Sequence, residues 1–352
     1  MSIPGHSTSP AAVPWFSGNG AVCGVGSLPF LAAAPAIEFV ARWCPEVPFW
    51  PQLRRMSPRE AMLPQTFGGQ FRHLSALRGE HGYGIATERV TRFFNALERA
   101  DAVFDPACAV GFYAFVDACE RGVFRGARAV KGQVMGPVTT ACSIQSDGTV
   151  FIDHPGFRLA VADYITRLAR WQVDVLLRHA SSVILVLDEA YLGVALRQNP
   201  LRREAVVDVL KSVILRVRRP GVLVGIHCCD EIALALLGGV GADLFSFDAH
   251  HGGAVFARDP EGRRFFEGGG HVAWGWIPTL DDLGCIQPAA IVEQWMEAAG
   301  SLCPPGHVER VFARSLITAS CGLAGSSIAT CERSFQMARE VSSGFSARVF
   351  SS

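Results

Sequence analysis

The side chains with the most chemistry to offer are His227 and Cys229, which stand two apart at the end of an apolar run, VLVGIHCCD at 222–230. Gly221 precedes the run and a helical pattern follows it, so the run reads as a buried strand. Side chains two apart on a strand share a face, which brings His227 and Cys229 together and turns Cys228 away. An imidazole and a thiolate at one strand end make half of a zinc site. The best further donor is Cys321, in TASCGLAGSS at the end of another apolar run. Zinc held by one histidine and two thiolates can keep a position for an incoming thiol and lower its pKa, so the chemistry to expect is alkyl transfer to sulfur. A structural zinc site would draw instead on closely spaced cysteine pairs such as CxxC.

Three carboxylates and a hydroxyl complete the set. Asp248 closes the strand DLFSFD and is either a fourth, displaceable ligand or a turn and helix-capping residue. Neighbouring His250 and His251, in a glycine-rich polar stretch, read as exposed. Asp188, after the apolar run at 183–187, should point to the same strand-end face, where it could bind an amine or act as a base. Its plainer role is a helix cap or an arginine partner, and Glu189 should face elsewhere. Ser27, in GSLP, offers a hydroxyl and backbone N–H groups to a carboxylate, or simply makes a turn.

These residues span nearly 300 positions, so the elements must bring them together. Strands are expected at 21–28, 47–53, 129–135, 183–187, 221–226, 243–247 and 272–277, with an eighth run at 311–319 feeding Cys321. Helical spacing appears at 32–43, 87–99, 112–121, 156–179, 201–217, 231–237, 291–299 and 331–341. Alternation of this kind predicts a parallel sheet, and eight units predict a (β/α)8 barrel with its chemistry at the C-terminal strand ends. An open doubly wound sheet would spread those ends along too long a line. Two stretches, about 54–110 and 250–270, read as polar excursions from the barrel. Residues 1–20 read as a flexible leader, and 21–352 as one catalytic barrel. No GxGxxG with a following acid indicates a dinucleotide site.

Composition narrows the partners. The chain has 352 residues, 49% hydrophobic and 18% charged, with 32 Lys+Arg against 32 Asp+Glu. That balance, without a basic run, argues against nucleic acid. No run of about 18 uncharged apolar residues suggests a membrane span. Eleven cysteines cannot all pair and follow no framework spacing, which points to a reducing cytoplasm.

Six strand-end motifs, GVGSLP at 24–29, GPVT at 136–139, LDEA at 187–190, IHCC at 226–229, DLFSFD at 243–248 and CGL at 321–323, occur in the order found in one family. From about 24 to 329 the chain resembles the catalytic barrel of cobalamin-independent methionine synthase. That barrel belongs to the wider group of uroporphyrinogen decarboxylase and the corrinoid-linked methyltransferases. The resemblance implies zinc on His227, Cys229 and Cys321, with Asp248 where the family has a ligating Glu. It also implies homocysteine bound through Ser27 at its carboxylate and Asp188 at its ammonium group. Glu60, in SPREAM, is the candidate for the second carboxylate on that ammonium.

Three departures concern the methyl donor. There is length for one barrel and not two, Ser143 stands where the family stacks a Trp on folate, and AWGWIPT around Trp274 and Trp276 lacks the family's proton-donating His. The pattern resembles single-barrel core methionine synthases and implies a donor other than methyltetrahydrofolate, such as a methylated corrinoid protein. Two rivals remain. One is a metal-free, uroporphyrinogen-decarboxylase-like lyase using Arg54, Arg55 and Arg59. The other is a non-catalytic zinc–thiolate barrel acting as a sensor or partner subunit.

Overall fold

Seven parallel strands form one curled sheet, each buried along its length. The computed structural model of the chain describes residues 16–76, 82–229, 234–279, 283–304 and 306–350. The strands are β1 (Ala21–Val22), β2 (Val130–Met135), β3 (Val183–Asp188), β4 (Val222–Cys228), β5 (Leu244–Phe247), β6 (His271–Ile277) and β7 (Ser315–Ala319). Their spatial order is β1-β7-β6-β5-β4-β3-β2, so each strand from β2 to β7 lies beside its successor and β1 returns to β7. All pairs are parallel. The runs are apolar on both faces because helices cover one side and the strands' own side chains fill the other.

The expected second strand, at 47–53, is not a regular strand. Pro48 and Pro51 lack the N–H groups a ladder needs. The segment nonetheless touches both edges of the sheet. Lys131 N–H donates to Pro48 O at 2.7 Å and Trp50 N–H to Lys131 O at 3.3 Å, on the β2 side. Gln52 N–H donates to Gly26 O and Leu28 N–H to Gln52 O, both at 3.0 Å, beyond β1. The first strand is likewise shorter than expected. Its ladder with β7 ends at Val22, and Ser27 rejoins through a single bridge to Gln52.

The stretch at 250–270 corrects the expectation of an excursion. It is two helices, Ala249–Arg258 and Pro260–Glu267, which fill the ordinary place between β5 and β6. Ala249, Gly252, Gly253, Phe256 and Ala257 are the buried face of the first helix. Two glycines and two histidines disguised that face. A Cβ on Gly253 would come within 2.5 Å of the Trp276 ring, so close packing requires the small residue. The 54–110 stretch does leave the main sheet. It contributes helix Met62–Phe67, helix Thr87–Arg99 and the strands Ser75–Ala76 and Tyr83–Gly84 of a separate four-stranded sheet. That small sheet also uses Ile144–Ser146, just after helix Pro137–Cys142, and so lies over the C-terminal end of β2.

The expected helix at 231–237 falls partly outside the described residues. Residues 234–240 form a short 3-10 turn followed by one helical turn. At the opposite end of the sheet the last residues of the expected leader are anchored. Gly18 N–H donates to Ala313 O at 2.8 Å, and buried Phe16 packs on the His271 ring. Residues 1–15 lie outside the described residues. Among the described residues no helix is long and apolar enough to cross a membrane.

Candidate metal centre

Strand register builds the site. Met135 pairs with Asp188, Asp188 with His227, His227 with Ser246 and Ser246 with Ala273, one row across five strands. Their side chains share the concave face. His227 ends β4, Cys229 follows it by two residues, and Cys321 comes two residues after β7. One donor atom from each of His227, Cys229 and Cys321 lies within 4.8 Å of the other two. The histidine is buried and the cysteines are half-buried.

The ring of His227 is oriented. Its Nδ1 lies 2.9 Å from Ser246 Oγ. Its Nε2 is buried and has no hydrogen-bond partner among the described residues. A buried imidazole nitrogen left bare beside two thiols is costly unless something ligates it. The donor set, one imidazole and two thiols, suits zinc. The thiols are already unequal. The Cys229 thiol donates to Cys321, and His227 and the Gly322 N–H also favour its thiolate, so Cys321 is held well below the ordinary thiol range despite its burial. The Cys229 thiol is pushed up by that same pairing with Cys321 and by burial.

Asp188 and Ser27 border this cluster. Burial pushes Asp188 up to about 6, against the pull of Lys131 and His227, while the Cys321 thiolate pushes it further up. Its Oδ1 is buried without a hydrogen-bond partner among the described residues. Ser27 lies against the residue after Cys321. Leu323 N–H donates to Ser27 O at 2.9 Å, and a Cβ on Gly322 would fall 2.1 Å from Ser27 Oγ.

Two other expected residues make structural hydrogen bonds of their own. Asp248 is not part of the cluster whose donors converge. It is the N-cap of helix Ala249–Arg258, accepting from His251 N–H at 3.2 Å while its other oxygen meets His251 Nδ1 at 2.8 Å. Its position just past β5 suited either a ligand or a helix cap, and here it caps the helix that starts there. Glu60 is fully buried at the start of helix Val110–Glu120. Its oxygens accept from Val110 N–H at 2.5 Å, Leu53 N–H at 3.4 Å and Gln65 Nε2 at 3.4 Å. Ser143 donates to Thr139 O at 2.7 Å. Trp274 and Trp276 stack on each other in the helix layer, Trp274 against Phe247 and Phe256, so neither faces the cluster.

Ser246 and Lys131, which sequence reasoning passed over, and Glu189, which it expected to face elsewhere than Asp188, also shape the site. Ser246 fixes the His227 ring. Glu189 accepts from Val138 N–H (3.0 Å), Thr139 N–H (2.7 Å) and Thr139 Oγ1 (2.6 Å), tying the end of β3 to the start of helix Pro137–Cys142. Lys131 points into the sheet's concave interior, where it lines a cavity with Cys23, His227, Ser246 and Thr318 that has room for about one water molecule. The signal for Lys131 was present: Lys131 and Gln133 are polar residues two apart on an otherwise apolar strand.

No protein-family model and no curated protein matches the chain. Solved structures do. A B12-independent methionine synthase from a Shewanella species, solved in complex with selenomethionine, is similar over 68% of this chain and 68% of its own, at 11% identity and a TM-score of 0.47. A Listeria monocytogenes protein assigned as a vitamin-B12-independent methionine synthase is similar over 75% of this chain and 81% of its own, at 12% identity and a TM-score of 0.47. Both are named for the family that the strand-end motifs resemble.

Proposed function

We propose that this chain is a zinc-dependent methyltransferase of the methionine-synthase kind, moving a methyl group onto the sulfur of homocysteine or a similar amino-thiol. The observation that carries the reading is the meeting of His227, Cys229 and Cys321 from two distant strand ends, with His227 Nε2 left without a hydrogen-bond partner among the described residues. Zinc held there would give the substrate sulfur a ligand position and lower its pKa, so that it reacts as a thiolate at neutral pH. In this reading the seven strands and the bridging segment at 47–53 act as a closed (β/α)8 barrel, and residues 21–352 are one catalytic domain.

The chain's own groups orient the acceptor. Asp188, with a bare buried oxygen beside the cluster, receives the ammonium group. Ser27, packed against Gly322 beside Cys321, receives the carboxylate by its hydroxyl in this reading. Both act by positioning, which brings the sulfur into line with an incoming methyl group. The methyl group leaves the donor for sulfur, and the thiol proton passes to solvent when the thiol binds. The donor side departs from the folate-using pattern at Ser143 and at the β6 end, which favours a methylated corrinoid protein or another small methyl carrier. All eleven cysteines are free thiols, in keeping with a reducing cytoplasm. A metal-free lyase would leave the His–Cys–Cys cluster without a use.

Turnover tests the reading. Zinc-loaded protein given homocysteine and methylcobalamin should form methionine, and the same protein given methyltetrahydrofolate should not. Absence of methyl transfer from methylcobalamin and from a methylated corrinoid protein, with zinc bound, would favour the non-catalytic zinc–thiolate barrel.

A further inference from the structure

Lys131 is a charged group where a stable interior would carry an apolar one. It is 6% exposed. Its Nζ donates to two neutral acceptors, Val25 O at 2.6 Å and Gln133 Oε1 at 3.1 Å, and it makes no ion pair among the described residues. Gln133 is itself held by donation to Trp50 O at 3.0 Å, so the ammonium group sits in a built cradle. Burial depresses the Lys131 pKa, and the charges of Cys23 and Asp188 oppose that effect. A buried ammonium that lacks a contacting carboxylate costs more stability than an apolar residue of its size.

The interior around it explains what the charge is for. Register places Lys131, Gln133 and Met135 on the face that β3 shares through Ile184, Val186 and Asp188. Lys131 and His227 line the same small cavity. The titratable side chains near the cluster are otherwise anionic or neutral: Asp188, the thiols of Cys229 and Cys321, and the imidazole. Two thiolates and one carboxylate outweigh the charge of a zinc ion held there, so the loaded centre resists a third sulfur anion unless a further positive charge lies within reach in the low-dielectric interior.

We propose that Lys131 is a positioning residue, the interior cation that balances Asp188 and leaves the centre able to accept the anionic sulfur of its substrate. The inference rests on the methyltransferase reading and deepens it. It gives opposite signs for two ligands. Loss of the lysine charge should leave a cationic metal held as tightly or more tightly, and should weaken an incoming thiolate.

The test uses full-length wild type, Lys131→Met and Lys131→Gln, the second keeping a donor for Val25 O. Zinc affinity is read by competition with a chromophoric chelator, homocysteine affinity by calorimetry on the zinc-loaded protein, and folding by thermal melts. Both variants should melt no lower than wild type and keep zinc. Both should bind homocysteine at least roughly tenfold more weakly, the scale of one charge interaction in a protein interior. Unchanged homocysteine affinity in either folded, zinc-loaded variant overturns the inference and leaves the methyltransferase reading standing. So does joint loss of fold, zinc and homocysteine in both, which marks a purely structural lysine. A wild type that takes no zinc overturns the reading beneath it.

Discussion

Ser246 Oγ lies 2.9 Å from His227 Nδ1, and this contact decides which ring nitrogen faces the two thiols. With Nδ1 engaged, Nε2 is the atom left bare. Partners of this kind orient a ligand and raise its basicity. Ser246→Ala should therefore weaken zinc binding by about 10- to 100-fold, while excess zinc still restores full occupancy. Chelator competition measures it. An unchanged affinity would mean that the ring is held by packing alone.

Ser27 and Gly322 form a second coupled pair. A methyl group at 322 would overlap the Ser27 hydroxyl, 2.1 Å away, so Gly322→Ala should displace the residue expected to hold the substrate carboxylate. The expected result is a destabilisation of about 1–3 kcal/mol with much weaker homocysteine binding. Ser27→Gly removes the clashing atom, so the double variant should regain most of the stability but not the binding. Strictly additive melting shifts would show that the two side chains do not meet.

Glu60 and Asp248, each already engaged by backbone N–H groups, should behave as structural groups. Glu60→Gln should cost about 1–3 kcal/mol, because its oxygens serve two backbone N–H groups and Gln65. Homocysteine affinity should stay near that of wild type. Asp248→Ala should cost about 1 kcal/mol as a lost N-cap and leave zinc content unchanged. Loss of zinc in Asp248→Ala would restore it as a ligand.

Glu189 gives the fold a pH dependence. Burial pushes its carboxyl from the ordinary 4.5 up to about 7, although three donors from Val138 and Thr139 favour the charged form. The fold therefore prefers the protonated acid. That stabilisation is complete below the unfolded pKa and is lost as pH rises through about 7. Asp188, raised to about 6, adds a loss of the same sign over a lower range. Denaturant midpoints should fall between about pH 5 and pH 8. Glu189→Gln should be less stable throughout, because its amide turns donors toward donors, and should show a shallower fall. An identical slope in both proteins would assign the dependence to other groups.

Much of this was readable in the chain because parallel strands buried on both faces are continuous apolar runs. The period of two then placed His227 with Cys229, and the barrel pattern brought Cys321 from 92 positions away. What escaped was set by tertiary contact. Pro48 and Pro51 removed the ladder from 47–53 while leaving its place between β1 and β2. Gly252 and Gly253 hid a helix whose closeness to Trp276 only packing reveals. Asp248 read as a ligand or a cap, and the helix start at Ala249 is where it makes its hydrogen bond. Glu60 was offered as the second carboxylate from its place after the second expected strand, and the bond it accepts from Val110 N–H, 50 residues later in the chain, is one that only the fold reveals.

The most direct measurement is zinc content of the purified protein, wild type beside Cys321→Ser, with zinc-edge absorption before and after homocysteine. The account predicts about one tightly held zinc per chain, a set of one nitrogen and two sulfur ligands, loss of that zinc in the variant, and one added sulfur when homocysteine binds. Protein without zinc affinity, or zinc indifferent to Cys321, would contradict it.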